Sequence, residues 1–295
     1  MGYLFLSIAL FSGAAKGFCG KKTSSYTQGT RDAIGANILR MVLCSAIGLV
    51  LILATEDPAK LIPSRELLLI SALSGIFTAV FVVSWLVCVK KSAYMMLDIF
   101  LMLGVLIPLT ASSLFFGEPI SLTQWIGIGV LFGAVVIMCS YNNSIKTKIT
   151  PAAFLLLLLC GVSCGIADFS QKLFTKTIPE GSAAAFNFYT YLFSGLVLVI
   201  ALLVMGKKEQ ASEGSVFRRI FGYILAMAFF LFANSYFKTL AAEQLDAVLL
   251  YPLNQGCSLI LASVMSVVAF KEKLTVKAAL GITTAFVGLL IINLL

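Results

Sequence analysis

The sequence contains no histidine and few charged residues, and both shortages narrow what the protein can do. Histidine is the commonest general base and a usual ligand in zinc sites, so catalytic and zinc-dependent mechanisms lack their ordinary groups. Charged residues make up 12% of the 295 residues, about half the share of ordinary soluble domains, whereas apolar residues make up 60%. This composition excludes a water-soluble enzyme, a secreted disulfide module and a disordered chain, and it leaves the lipid bilayer as the matching solvent.

Long apolar runs recur along the whole chain. A membrane-spanning helix needs about 20 mostly apolar residues. Ten such windows lie at 3–20, 34–54, 67–89, 94–116, 121–141, 152–174, 183–205, 219–240, 246–269 and 275–294. Because the connections between them are short, we expect an all-α integral membrane protein of ten transmembrane helices with no extramembrane domain.

The distribution of lysine and arginine predicts an orientation. A net charge of +8 would suggest a nucleic-acid partner in a soluble protein, but here the charge lies in short connections. The connections after spans one, three, five, seven and nine carry 14 lysines and arginines, and the other connections carry 5. Those five are Lys60, Arg65, Lys172, Lys176 and Lys238. Since cytoplasmic loops are enriched in these residues, we expect a plasma-membrane protein with both termini outside the cytoplasm and no nucleic-acid partner.

The cysteines and short motifs indicate no metal, cofactor or enzymatic activity. None of the seven cysteines forms a CxxC pair, and Cys160 and Cys164 share a helix face without a histidine to complete a zinc site. The segment Gly20-Lys-Lys-Thr resembles the end of a phosphate-binding loop, but Ala15 occupies the position where such a loop requires glycine. We therefore expect small-residue packing from the cysteines and no ATP hydrolysis.

The turn before the last span of each half shows that the chain is duplicated. Phe116-Gly-Glu-Pro-Ile-Ser-Leu is matched by Phe270-Lys-Glu-Lys-Leu-Thr-Val, 154 residues later. In the span that follows, Gly127 is matched by Gly281 at the same offset. The coincidence of a Phe-x-Glu turn with a helix glycine indicates two related halves.

Earlier segments repeat with small shifts. Gly13-Ala-Ala-Lys corresponds to Gly165-Ile-Ala-Asp, and Gly48-Leu-Val-Leu corresponds to Gly195-Leu-Val-Leu. We therefore predict two five-helix repeats, residues 1–145 and 146–295. An odd number of spans in each repeat inverts one relative to the other, a common plan of secondary transporters, whose binding site lies between the halves near the membrane midplane.

These features resemble the drug/metabolite transporter superfamily, EamA type. The resemblance lies in the ten spans, the two five-helix halves, the turns Phe116-Gly-Glu-Pro-Ile and Phe270-Lys-Glu-Lys-Leu, and the segment Tyr251-Pro-Leu-Asn-Gln-Gly. The proline usual about thirteen residues before the turn glutamate is displaced, to Pro108 and Pro252. The resemblance implies alternating access around a central cavity, by a monomer or a homodimer, without fixing a substrate.

Ionisable residues inside the spans are the first candidates for a binding site, because a charge there costs roughly 2.5–3.5 kcal/mol on insertion scales. Arg40, Asp98 and Asp168 lie within spans two, four and six, and Lys16 occupies the place in span one that corresponds to Asp168. They can bind a charged ligand, pair with each other or exchange a proton. The alternative for the basic residues is snorkelling toward the interface, which an aspartate is too short to do.

Polar residues in four spans complete the candidate set. Tyr251, Asn254, Gln255 and Ser258 lie on one face of span nine, where they can bond either a ligand or another helix. The other positions are Tyr94, one turn before Asp98; Asn187, which corresponds to Arg40; and the run Asn234-Ser-Tyr in span eight. The predicted substrate-binding residues are Arg40, Tyr94, Asp98, Asp168, Asn187, Asn234, Tyr251, Asn254 and Gln255.

Two other features have structural explanations. Glu118 and Glu272 lie just ahead of a helix start, where an acid interacts favourably with the helix dipole. Gly129 and Gly133 in span five have the spacing of glycines that allow close helix packing. We expect spans five and ten to be packing helices and not cavity walls.

Three functions are compatible with the sequence. The leading hypothesis is a secondary active transporter that moves a small organic metabolite or drug-like compound by alternating access, with protons as a candidate coupling ion. The second is a passive facilitator or channel of the same fold. The third is a membrane interaction protein without transport. A central cavity dominated by Arg40 and Lys16 would indicate an anionic ligand, and one dominated by aspartates would indicate a cation or proton coupling.

Overall fold

The structure, a computed structural model, describes residues 1–24, 30–90, 94–140, 151–205, 214–270 and 276–294. Within these ranges it contains ten α-helices, one short 3-10 helix at Pro58–Leu61 and no strand. The α-helices are α1 (Gly2–Ser24), α2 (Thr30–Thr55), α3 (Arg65–Lys90), α4 (Tyr94–Phe116), α5 (Leu122–Ser140), α6 (Pro151–Thr177), α7 (Ala183–Val204), α8 (Gly214–Gln244), α9 (Ala247–Phe270) and α10 (Val276–Leu294). The predicted all-α fold of ten helices is confirmed.

The helices have the length and composition of membrane spans. Six are long and apolar enough to cross a bilayer by these criteria within the described residues. They run over Gly2–Gly20, Arg31–Thr55, Arg65–Trp85, Phe154–Thr177, Ala183–Val204 and Phe221–Gln244. Four shorter apolar stretches occupy Phe100–Phe116, Leu122–Ile137, Ala247–Leu261 and Ala279–Ile292. Many large apolar side chains on these helices face outward, as expected of surfaces that contact lipid.

The chain folds into two compact units. Unit 1 comprises Met1–Leu86 and Ser170–Gln244, and unit 2 comprises Val87–Phe169 and Leu245–Leu295. Unit 1 therefore contains α1, α2, most of α3, the end of α6, α7 and α8, and unit 2 contains the remaining helices. Each unit combines helices from both predicted repeats.

Unit 1 is organised by the packing of α1 against α8 and of α2 against α7 and α8. A Cβ at Gly48 of α2 would lie 3.2 Å from the Cβ of Phe188 in α7, and a Cβ at Gly195 of α7 would lie 3.5 Å from the Cβ of Met41 in α2. The offset from Gly48 to Gly195 is 195 − 48 = 147, and the offset from Met41 to Phe188 is 188 − 41 = 147. The two contacts are thus equivalent under the internal duplication, as a two-fold relation requires.

Unit 2 contains the pair α5 and α10, which pack closely on each other. The close approach is at Gly127, where a Cβ would lie 2.6 Å from Cγ1 of Ile292 and 3.0 Å from the backbone oxygen of Gly288. No atom outside the local helix lies within 4 Å of a Cβ built at Gly129 or Gly133. The prediction that Gly129 and Gly133 mediate close packing is wrong, because these residues lie on faces of α5 that meet no neighbouring helix backbone.

The turn after α4 positions Glu118 to bond the backbone of another helix. Gly117 has a φ of 65°, in the left-handed region that glycine adopts without strain. The turn places Glu118 in a buried position, where its Oε2 accepts a 2.8 Å hydrogen bond from the backbone N–H of Ala247. The expected structural role at a helix N-terminus is present, but the helix is α9 and not the adjoining α5. Glu272 lies outside the described residues.

Four of the five basic residues assigned to the less basic connections lie within α-helices, and Arg65 is the first residue of α3. Lys172 and Lys176 belong to α6, and Lys238 belongs to α8. Lys172 is 1% exposed, and its Nζ donates a 3.2 Å hydrogen bond to the backbone oxygen of Ala242 near the C-terminal end of α8. This ammonium therefore acts as a helix C-cap, where a cation is favoured by the helix dipole.

Candidate functional site

The interior of unit 1 contains a hydrogen-bonded cluster of neutral polar side chains from α6, α7 and α8. The hydroxyl of Thr239 accepts hydrogen bonds from Nε2 of Gln171 at 3.3 Å and from Nδ2 of Asn187 at 3.2 Å. Gln171 also donates to the hydroxyl of Ser235 at 3.2 Å, and Thr239 donates to the backbone oxygen of Ser235 at 2.9 Å. The hydroxyl of Thr239 thus holds two amide side chains from different helices in fixed orientations.

Both amides in this cluster have a buried oxygen with no hydrogen-bond partner. Oε1 of Gln171 and Oδ1 of Asn187 are shielded and unbonded, in side chains that are 4% and 0% exposed. The Asn187 amide cannot be turned over, because its nitrogen also donates to the backbone oxygen of Ala183 at 2.8 Å. Leaving a buried polar group unbonded costs about 1–3 kcal/mol, so these acceptors are suited to a donor from a ligand or water.

Arg40 lies on α2 in the same unit. Its side chain is half-buried, and its Nε is shielded from solvent without a hydrogen-bond partner. The guanidinium lies near Cys44, one turn further along α2, and near Tyr191 of α7. Lys16 of α1 also lies near Cys44. Within the described part of unit 1, two basic side chains, one from α1 and one from α2, therefore lie near Cys44.

Tyr191 connects the basic region to the polar cluster. Its hydroxyl donates to the backbone oxygen of Leu231 at 3.4 Å and interacts with the side chain of Ser235. Ser235 in turn bonds Gln171. The predicted residues Arg40 and Asn187 thus belong to one continuous polar region that also includes Tyr191, Ser235 and Gln171.

Asn234 lies next to this region but makes a helix–helix contact. Its Nδ2 donates a 2.6 Å hydrogen bond to the backbone oxygen of Ala9 in α1. The contact is allowed by Gly13, where a Cβ would lie 3.1 Å from that nitrogen. Asn234 therefore joins α8 to α1 at Ala9 and Gly13, about one helical turn before Lys16.

Unit 2 holds the other described candidates. The hydroxyl of Tyr251 donates a 2.6 Å hydrogen bond to the backbone oxygen of Asp168, and the Tyr251 side chain is 1% exposed. Asp168 itself is half-buried on α6. The backbone of α6 is thus fixed to α9 at the position of its membrane-embedded carboxylate.

Two amides of α9 follow Tyr251. Oδ1 of Asn254 is buried without a hydrogen-bond partner. Gln255 lines a small cavity with room for roughly one water molecule, together with Leu131 and Val135 of α5. This cavity is far below the size of an organic ligand, so the expectation that α5 is a packing helix and not a wall of a ligand cavity stays a prediction.

The structure places Tyr94 and Asp98 on α4, but their side chains lie outside the described residues. Sequence reasoning missed Gln171 and Thr239 as members of the polar region. Both carried a usable signal, because Gln171 lies three residues after Asp168 and Thr239 lies four residues after Ser235, which in each case is one helix face. Within the described residues, no group of three or more Cys, Asp or Glu is arranged to hold a metal ion.

The described architecture is that of an all-α, multi-pass membrane protein with polar side chains buried inside apolar helices. The model of the EamA-like transporter family matches the sequence twice, over residues 1–140 and 151–294. The chain belongs to the EamA-like transporter family and is a membrane transporter of the drug/metabolite type. The resemblance in its turns and spans is thereby confirmed.

A comparison with solved structures gives the same fold. One crystal structure, whose title reads only "Crystal structure of protein", matches with a TM-score of 0.80 at 14% sequence identity. The match covers 99% of this chain and 96% of the other. Among proteins with curated descriptions, none matches this sequence.

Proposed function

We propose that this protein is a secondary active transporter that moves a small organic metabolite across the plasma membrane by alternating access, with protons as the coupling ion. The observation that carries the proposal is the buried polar region of unit 1, where two amide oxygens lack partners inside apolar helices. Such groups are costly in a protein that only packs in a membrane, and they become useful when a ligand donates to them. Family membership supports transport as the activity.

Asp168 is the proposed proton carrier. It lies on α6 within an apolar span, and the hydrogen bond from Tyr251 to its backbone oxygen holds it in place. A membrane-embedded carboxylate that exchanges a proton changes its charge within the transport cycle, which couples the cycle to a pH gradient.

The two compact units are the proposed moving bodies. Helices α3 and α6 each continue from one unit into the other, at Leu86–Val87 and at Phe169–Ser170. Asp168 is the penultimate residue of the unit 2 segment that ends at Phe169, and this position suits a residue whose protonation is coupled to movement. Both termini are proposed to face outward, on the basis of the loop charges.

The experiment is transport in proteoliposomes, with substrate accumulation and internal pH recorded together. The purified full chain is offered labelled organic acids, amino acids, sugars, sugar phosphates and quaternary amines, with and without an imposed pH gradient. We expect saturable counterflow of at least one class and gradient-driven accumulation of that class. Asp168→Asn should retain counterflow and lose the response to the gradient, whereas the matched control Glu66→Gln, at an exposed position of α3, should retain both.

The alternatives give different results in the same assay. Flux that does not saturate and shows no counterflow indicates a passive facilitator or channel. Equal accumulation with and without the gradient removes proton coupling from the proposal. No flux of any class, from protein that remains monodisperse, indicates a membrane interaction protein and overturns the proposal.

A further inference from the structure

The sign of the charge inside unit 1 bears on the class of substrate. Lys16 and Arg40 lie well within α1 and α2, whereas the acids of the described part of this unit lie in first turns, last turns or connections. Those acids are Asp32, Glu56, Asp57, Glu66, Glu180 and Glu243. Asp32 is eight residues from Arg40 on α2, or about 12 Å along the axis, and Glu56 is sixteen residues away, or about 24 Å.

No acid of unit 1 neutralises Arg40 within the described residues. The titratable side chains near Arg40 are Cys44 and Tyr191, and both donate their own hydrogens to backbone oxygens, those of Ala228 and Leu231. Neither a thiol nor a phenol of this kind supplies a negative charge at neutral pH. Lys16, which lies near the same cysteine, is a second basic residue.

The position of Arg40 within its span argues against snorkelling. The side chain is half-buried, and its Nε is shielded from solvent without a hydrogen-bond partner. Arg40 also lies nine residues from the first residue of its apolar span, about 14 Å along the helix. An arginine that is always charged in such a place is suited to an anion that accepts from its planar donors.

The neutral acceptors lie next to this basic region. Asn187 precedes Tyr191 by one turn of α7, and Thr239 follows Ser235 by one turn of α8. Asn187 and Thr239 are therefore each about 6 Å, one helical turn, along the helix axis from Tyr191 and Ser235, and Gln171 bonds both Ser235 and Thr239. A ligand that binds both the basic residues and the unbonded amide oxygens carries a negative charge at one end and hydrogen-bond donors a few atoms away.

We propose that unit 1 binds an organic anion, a carboxylate or a phosphate, with its charge at Arg40 and Lys16 and with its hydroxyl or amide donors on Gln171 and Asn187. This inference deepens the proposed function by naming the substrate class of the transporter. The inference is tested by measuring binding, which does not require flux. A failure to bind anions would therefore leave the transport proposal standing, and anion binding could be observed even if no transport is found.

The probes share one skeleton and differ in charge. Glucose is neutral, glucosamine is cationic, glucuronate carries a carboxylate and glucose 6-phosphate carries a phosphate. The purified full chain in phosphatidylcholine nanodiscs is titrated with each, and the apparent Kd is taken from the rise in thermal midpoint. We expect glucuronate, glucose 6-phosphate or both to bind at least tenfold more tightly than glucose and glucosamine, and binding to weaken with added salt. Equal or tighter binding of glucosamine overturns the proposal.

Arg40 is tested with matched variants. Arg40→Gln should abolish the preference for anions, and Arg40→Lys should retain part of it. Arg65→Gln, which removes the same charge from an exposed position of α3, should leave the preference for anions unchanged. If Arg40→Gln fails to fold, the wild-type series and Arg40→Lys still decide the question. An anion preference that persists in Arg40→Gln overturns the proposal.

Two further arms locate the anion and its donors. If Arg40 instead binds an anionic lipid headgroup, phosphatidylglycerol nanodiscs will raise the thermal midpoint of the wild type but not of Arg40→Gln, and soluble anions will then have no effect. That result overturns a substrate site.

The hydrogen-bond donors of the ligand are tested by comparing two phosphates. Glucose 6-phosphate should bind more tightly than inorganic phosphate in the wild type. Asn187→Leu, which retains the volume but removes the acceptor, should reduce that ratio severalfold, and an unchanged ratio contradicts the assignment of the donors.

Discussion

Two charged side chains in this protein cap helices that are distant from them in the sequence, and their neighbours in the sequence do not indicate this role. Glu118 lies four residues before α5, yet it bonds the first backbone N–H of α9, 129 positions later in the chain. The sequence assigns Lys172 to a connection, yet it is buried within α6 and caps α8. In both cases a charged group satisfies backbone atoms that have no partner within their own helix, which is why a charge is tolerated there.

The first prediction concerns Glu118. Glu118→Ala removes the acceptor for the Ala247 N–H, so we expect a loss of about 1 kcal/mol of stability, the ordinary cost of a lost helix cap, and a lower thermal midpoint in detergent. Glu118→Gln retains an acceptor oxygen and should lose less. Glu66→Ala, at an exposed position in the first turn of α3, is the control. Equal midpoints for Glu118→Ala and this control would contradict the capping role.

At the scale of helices, packing depends on which glycine faces a neighbour and not on how glycines are spaced. Within α5, Gly127 meets Gly288 and Ile292 of α10, and Gly129 and Gly133 meet nothing within 4 Å. All three residues look alike in the sequence. The rotation of the helix about its axis decides between them, and that rotation is set by contacts with α10.

The second prediction compares two glycines of the same helix. Gly127→Ala places a methyl group 2.6 Å from Ile292 and 3.0 Å from a backbone oxygen, so α5 and α10 must separate and the thermal midpoint should fall by several degrees. Gly129→Ala adds a methyl group in open space and improves helix propensity by about 1 kcal/mol, so its midpoint should be equal or higher. A similar midpoint for both variants would show that the α5–α10 contact does not limit stability.

At the scale of the whole molecule, the two compact units are not the two halves of the sequence. Each unit takes helices from both repeats, as in the packing of α2 against α7 in unit 1 and of α5 against α10 in unit 2. The duplication therefore relates helices that pack on each other, as the equivalent contacts Gly48–Phe188 and Gly195–Met41 show. The polar character differs between equivalent positions, since Lys16 corresponds to Asp168 and Arg40 to Asn187.

The third prediction concerns orientation in the membrane. In a cysteine-free background, Lys60→Cys should react with a membrane-impermeant maleimide in intact cells, because its connection is predicted to lie outside. Lys207→Cys should react only after the membrane is permeabilised. Both variants remove one lysine, so each is the control for the other. Labelling of Lys207→Cys in intact cells would reverse the predicted orientation.

The sequence by itself determined that the protein lies in a lipid bilayer, that it has ten helices and that it contains an internal duplication. Scarce charge and recurrent apolar runs leave only helices in a bilayer, and the windows match the ten helices to within a few residues at each end. Tertiary structure alone decided that Glu118 bonds α9, that Gly127 and not Gly129 contacts α10, and that Gln171 joins Asn187 and Thr239. Hydrophobicity is a local property that can be read along the chain. Helix rotation and partner choice depend on packing between residues that are far apart in it.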